Sequence, residues 1–292
     1  MRNRWYGAKP GGLALAALAL SISTAPPSRA ANCPVIRQEI KQERNLLQRR
    51  TMLEQAIKNC PADPEINTMY AYNLERLRKY EEALKYYVTA TTLDPNAADA
   101  YNGMGDIHML LGDPGLAIQA YEKGLALEPA NTRAERALAT ARIKDKAQSG
   151  REITSAEFVQ VMEERNPKNA EASSLVGPIL RMQIAFESNS ADLTATAKKQ
   201  LAKVIVPALQ HQTLRNAVFE VAGHTDNSGD SKSNLALSRS RAEAVRTYLV
   251  RQHGIAPGRL QVAAFGQERP AVPNTSEQNR TINRRVEFRR LD

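Results

Sequence analysis

Between Asn67 and Pro129 the chain reads like itself when shifted by 34 residues. "NTMYAYNLERLRKYEEALKYYVTATTLDP" lies over "YNGMGDIHMLLGDPGLAIQAYEKGLALEP". Leu77 meets Leu111, Ala83 meets Ala117, Tyr87 meets Tyr121, Leu93 meets Leu127 and Pro95 meets Pro129. A fixed period of this length leaves few folds open. Each period must be one supersecondary unit that buries its apolar side against the next copy. The small residues Ala71 and Gly105, and again Ala90 and Gly124, fall where two helices cross closely. Tyrosine fills the gap between hairpins, and proline stops the second helix.

These residues resemble the tetratricopeptide repeat, which implies a solenoid of helical hairpins with a concave face for partner docking. One period back, Leu53, Ala56 and Pro61 fit the pattern, so a degenerate first repeat runs from about Cys33 to Pro61. One period forward, "TRAERALATARIKDKA" (132–147) supplies a capping helix. The repeats and cap are expected over 31–150. In such a hairpin the start of the first helix and the end of the second lie side by side, where Cys33 and Cys60 fall. A disulfide and two separate core cysteines both remain open.

The first 30 residues read as a cleaved secretory signal. Basic residues precede the apolar run "LALAALALSIS" (13–23), and Ser28 and Ala30 are the small residues that a signal peptidase reads. The run is shorter than the roughly 20 residues that span a bilayer. No lipobox-like Leu-x-Gly/Ala precedes Cys33, so lipidation is not expected. An exported chain permits a disulfide. The formal charge is +9, and the leader holds four bases and no acid, leaving about +5 for the rest. That mild excess suits an anionic polymer or membrane surface without singling out nucleic acid.

"TSAE" (154–157) is a capping-box pattern that opens a further helix. After it "RNPKNAEASS" reads as a linker, giving a helix and linker over 151–179. From 180 to 292 the pattern changes. "LRMQIAF" (180–186), "AVFEVAG" (217–223), "RLQVAAFG" (259–266) and "RRVEFRR" (284–290) read as strands. "DLTATAKKQLAKVIVPAL" and "LSRSRAEAVRTYLVRQHG" read as helices, the second stopped by Gly254. The order β-α-β-α-β-β with short connections predicts two helices on one face of a small mixed sheet.

On a helical wheel, Leu237, Ala244, Val245, Tyr248 and Leu249 gather on one side of the second helix. Arg241 falls near the middle of that stripe, and Asn234, just before the helix, projects the same way. Arg239, Glu243 and Arg246 form a solvated outer face. A guanidinium facing a sheet costs several kcal/mol unless paired. The nearest candidate acid is Asp226, at the end of the second strand. Two readings stay open: a buried structural ion pair, or a dipolar site holding the two charges apart for a zwitterion of opposite polarity.

"AFESNSADL", "VAGHTDNSG", "NLALSRSRAEAV", "FGQERPAV" and "INRRVEF" resemble the OmpA-like C-terminal domain family, shared by OmpA tails, Pal lipoproteins and MotB. The resemblance runs from about Arg181 to Leu291. It implies non-covalent binding of peptidoglycan through meso-diaminopimelate. It places the aspartate of "HTD" at Asp226 and the arginine of "LSxxRA" at Arg241. Asn234, Asn189 and Arg284 match further pocket positions. The free end of diaminopimelate carries an ammonium, suited to Asp226, and a carboxylate, suited to a two-pronged contact with Arg241.

No catalytic constellation is visible from spacing, and the four histidines are not spaced as metal ligands. His224 reads as a packed or loop-stabilising residue. In "NRRVEFRR" Arg and Glu alternate as on an exposed strand face. The expectation is an exported, non-enzymatic scaffold with no cofactor. It combines a tetratricopeptide-type solenoid with an OmpA-like domain that holds peptidoglycan, and its repeats dock an envelope protein. It is periplasmic, with outer-membrane association left open. The alternatives are an assembly chaperone localised to the wall and a wall-remodelling accessory protein. A motor-stator subunit would need a true transmembrane helix.

Overall fold

The structure is a computed structural model that describes residues 32–164, 178–187 and 190–292. The signal sequence, most of the linker and Asn189 lie outside the described residues. Among the described residues no helix is long and apolar enough to cross a membrane.

The 34-residue period folds as helical hairpins. They pair α1 (Cys33–Gln42) with α2 (Leu46–Asn59), α3 (Pro64–Arg76) with α4 (Tyr80–Leu93), and α5 (Ala98–Leu111) with α6 (Pro114–Leu127), and the array ends on α7 (Thr132–Gln148). Asp63 and Asp113 cap α3 and α6, each with a proline at the first helical position, where no N–H is needed. Gly103 and Gly105 lie against the rings of Tyr87 and Tyr121, where any Cβ would overlap them. Each buried ring keeps its hydroxyl satisfied. Tyr87 donates to Glu75 at 3.0 Å, and Tyr121 donates to Asp106 at 2.8 Å. Arg133 on α7 completes the second contact as an ion pair with Asp106. Cys33 and Cys60 are bonded, tying α1 to the end of α2 across 27 residues.

The capping box at Thr154 and Glu157 opens α8 (Ser155–Glu163). This helix packs into the core of the C-terminal sheet domain. Phe158 lies edge-on to Phe288 and tilted against Phe219, and Val161 and Met162 sit in the same core. The sheet has four strands, β1 (Ile179–Met182), β2 (Phe219–His224), β3 (Leu260–Gly266) and β4 (Val286–Arg290), in the order β1-β4-β2-β3. β2 pairs with β3 in parallel, and the β1–β4 and β2–β4 pairings are antiparallel. The helices α9 (Ala195–Gln200), α10 (Val206–Gln210) and α11 (Ser231–His253) cover one face. A wide π-type turn over Leu201–Ile205 joins α9 to α10. Pro207 explains it: proline brings no N–H and its ring crowds the preceding turn, so the helix widens rather than stopping. A short helix between β3 and β4, α12 (Glu277–Asn283), was not anticipated.

The face of the sheet away from these helices is charged, and the exposed-face expectation for "NRRVEFRR" fails there. Arg285 is 4% exposed and Glu287 5% exposed. β4 is an inner strand, and the chain after β3 folds back over it, with the Arg269 carbonyl accepting from Arg285. The helical array reaches the same face. Arg181 on β1 donates to Glu287 and to the carbonyl of Gly112, the left-handed cap of α5. Gln183 donates to the carbonyl of Gln148 at the end of α7.

Candidate functional site

The site forms where β2 runs out. Gly223 lets α11 ride close over the strand, because a Cβ there would overlap the Ser238 carbonyl. The buried side of α11 is therefore Asn234, Ser238, Ala242, Val245 and Leu249. This corrects the wheel. Arg241 is half-buried on the flank of that stripe, because small residues, rather than the most apolar ones, define the closest approach. The start of the helix is corrected too. Asp230 caps α11, so the helix begins six residues earlier than expected and Asn234 lies inside it. Nor is Arg246 a solvated outer residue: it donates to the carbonyls of Leu260 and Pro257.

Asp226 lies two residues past the end of β2 and is 6% exposed. One carboxylate oxygen accepts from the Ser228 amide at 2.9 Å, and the other accepts from Arg284 at 2.6 Å. Burial pushes this carboxyl up, but the Arg284 guanidinium and the Ser228 contacts outweigh it and hold it below the usual range. It is therefore ionised at neutral pH. Arg284 also donates to Glu277 and Thr281. Asn234 spends its amide N–H groups on the Ser228 carbonyl at 2.9 Å and on Gln267 at 2.8 Å. It braces the loop that carries Asp226, and its oxygen is what remains for a ligand.

Arg241 stands apart from Asp226. Its Nε donates to the Ser190 carbonyl at 3.2 Å, and its guanidinium carbon lies 4.9 Å from the centre of the Phe186 ring. Among the described residues no carboxylate forms an ion pair with it. Burial, then the positive charge of Arg284, lower its pKa, while Asp226 acts in the opposite sense from a distance. Among the described residues the site thus holds two guanidiniums and two carboxylates, and both carboxylates, Asp226 and Glu277, pair with Arg284 rather than with Arg241. Asp226 and Arg241 do not clasp each other; the acid's partner is Arg284, 58 residues away in sequence.

Phe186, Ser190, Ser228 and Glu277 were missed as site residues. Nothing in the spacing marks them, since three contribute through backbone atoms or a ring face, and Glu277 lies on the unanticipated α12. His224 is buried, stacked on Phe265 and 3.6 Å from Glu287, as a packed histidine. Burial first, then nearby Arg285 and Arg181, hold its pKa low against the raising effect of Glu287. Among the described residues no group of His, Cys, Asp and Glu could hold a metal ion.

Residues 185–284 match the OmpA family, and residues 68–132 match the tetratricopeptide repeat. The peptidoglycan-associated lipoprotein of Pseudomonas putida is 39% identical over 105 residues, covering 36% of this chain and 60% of that protein. The outer membrane protein Omp38 of Acinetobacter baumannii is 31% identical over 107 residues, covering 37% of this chain and 29% of that protein. Both matches span less than two thirds of the relative's own length. Among solved structures, the cell wall anchor of the T6SS from Pseudomonas aeruginosa is 26% identical. It covers 42% of this chain and 90% of that chain, with a TM-score of 0.34.

Proposed function

We propose that this chain, with an OmpA family domain at its C-terminal end and tetratricopeptide repeats before it, holds the bacterial cell wall non-covalently. The ligand is peptidoglycan of the diaminopimelate type, and the repeats dock a protein partner of the envelope. The reading supposes export to the periplasm, leaves outer-membrane association open, and assigns the chain no catalytic step. One named relative is a peptidoglycan-associated lipoprotein, which supports the ligand class.

The observation that carries the chemistry is the unequal pairing of Arg241 and Asp226. Diaminopimelate ends in an ammonium and a carboxylate on one carbon. Asp226 is ionised and has lone pairs left for the ammonium. Arg241 has its Nε committed and its two terminal nitrogens without an acceptor among the described residues, a fork suited to a carboxylate. Arg284 keeps Asp226 ionised and in place, and Asn234 braces its loop. Asn189 remains assigned by family resemblance alone. A lysine stem peptide lacks the terminal carboxylate and leaves Arg241 unmatched, so it is rejected.

The test is retention on purified sacculi. Wild type binds diaminopimelate-type wall and not lysine-type wall, and Asp226→Ala and Arg241→Ala each lose most binding with a cooperative melt retained. Equal retention on both wall types by wild type refutes the reading.

A further inference from the structure

The Arg241 guanidinium is held in two ways that a core arginine does not need. Its Nε–H points at a backbone carbonyl, Ser190, which fixes one edge of the plane. The Phe186 ring stands against it at 4.9 Å. Phe186 is itself anchored. It packs against the apolar core and forms a lone antiparallel bridge with Leu193, and beside it the Thr194 amide donates to the Ala185 carbonyl at 3.2 Å. A rigid ring has thus been placed at a half-buried position where an aliphatic side chain would cover the core as well.

We infer that Phe186 is a positioning residue for ligand recognition: its ring, together with the Ser190 carbonyl, orients Arg241 so that the two terminal nitrogens face the ligand carboxylate. The inference rests on the wall-binding reading. The physics is preorganisation. A free arginine carries about 2 kcal/mol of rotamer entropy, and a ring face under the guanidinium adds cation–π attraction, so less is lost when the carboxylate arrives. Phe186 never touches the ligand in this scheme. It acts only through Arg241, and therefore only on the part of the ligand that Arg241 binds.

That restriction makes the role testable. The full chain is titrated with two soluble stem peptides, one with meso-diaminopimelate and one with lysine in its place. Phe186→Leu is expected to weaken the diaminopimelate peptide about threefold to tenfold and leave the lysine peptide unchanged, so the preference shrinks. Phe186→Tyr keeps a ring face and stays close to wild type. In an Arg241→Ala background, Phe186→Leu has no further effect. A Phe186→Leu protein with wild-type preference, or with equal loss for both peptides, overturns the inference while the wall reading stands. A wild-type protein with no preference sinks both. Should Phe186→Leu fail to melt cooperatively, nuclear magnetic resonance on wild type decides. An Arg241 Nε–H shifted upfield by the ring and slow to exchange supports the role, and an ordinary, fast-exchanging one overturns it.

Discussion

Arg285 and Arg241 belong to one domain and are treated in opposite ways. Arg285, on the far face of the sheet, is closed off. Its donors go to Glu287 twice and to the carbonyls of Asn283 and Arg269. Arg181 completes that cluster, bonding Glu287 and Gly112. Glu287 is buried, and the Arg285, Arg181 and His224 contacts around it overcome that burial and hold its carboxyl far below the usual range. Arg241 has one backbone acceptor and a ring. Every guanidinium nitrogen of Arg285 has an acceptor, whereas the two terminal nitrogens of Arg241 have none among the described residues. Both are arginines with an acid two residues later in sequence, and only their surroundings differ.

The sharpest way to break this contrast is to remove the acid on the closed side. Glu287→Ala strands Arg285 and Arg181 and should cost about 3–5 kcal/mol, lowering the melting temperature by on the order of 15 °C or more. Arg241→Ala should stay within about 1 kcal/mol of wild type, because it removes a half-buried cation that no acid among the described residues pairs with. Thermal melts that rank the two variants the other way would dissolve the distinction.

Binding should rank them in reverse. Arg241→Ala and Asp226→Ala should each weaken a diaminopimelate stem peptide by about 100-fold, within the range for removing one member of a desolvated charge contact. Isothermal titration with the full chain measures it. An affinity within about threefold of wild type would return Arg241 to the structural class.

A covalent constraint far from the site gives a yardstick. Reducing the Cys33–Cys60 bond, which closes a loop of 27 residues, should destabilise the first hairpin by about 2–4 kcal/mol. Stem-peptide affinity should not change, because Asp226 and Arg241 lie in the other part of the chain. A melt with and without reductant, paired with the same titration, checks both halves.

Near neutrality, pH should have the smallest effect of all. Glu287 is a carboxyl held low, so its stabilisation is complete above its unfolded pKa of about 4.3 and is lost as pH falls below that value. His224 is an imidazole held low by burial, so the unfolded chain takes up a proton below about 6.5 while the folded chain resists it. Stability should therefore drift down from about pH 7 to 5 and fall faster below about 4.5. The upper drift should vanish in His224→Gln, and a melting temperature flat down to about pH 4 would contradict both assignments.

Much of the architecture is legible in the sequence. The 34-residue period marks the hairpins because Ala71, Tyr87 and Pro95 repeat as Gly105, Tyr121 and Pro129, and each is local in its effect. The four strands are legible as apolar alternations, although Phe186 proved to be a lone bridge residue beyond the end of β1. Asp226 and Arg241 stood out through the family resemblance and the wheel, but the partner of Asp226 did not. Arg284 reaches it across 58 residues, and no local pattern encodes a contact made by folding three elements together. The burial of Arg285 and Glu287 was misread for the same reason: strand order decides which strand is inner, and sequence alternation carries no strand order.

What the sequence by itself determined is whatever depends on neighbours along the chain: helical period, caps, turns, the short connections between strands, and the presence of an acid and a base near one end of a strand. What only the tertiary structure decided is which charges meet. Gly223 admits α11 so closely that Ser238 and Ala242 take the centre of its buried side and Arg241 moves to the flank. Coulombic and hydrogen-bond energies depend on distances between elements, and those distances exist only after the sheet has chosen its order and the helices have settled on it.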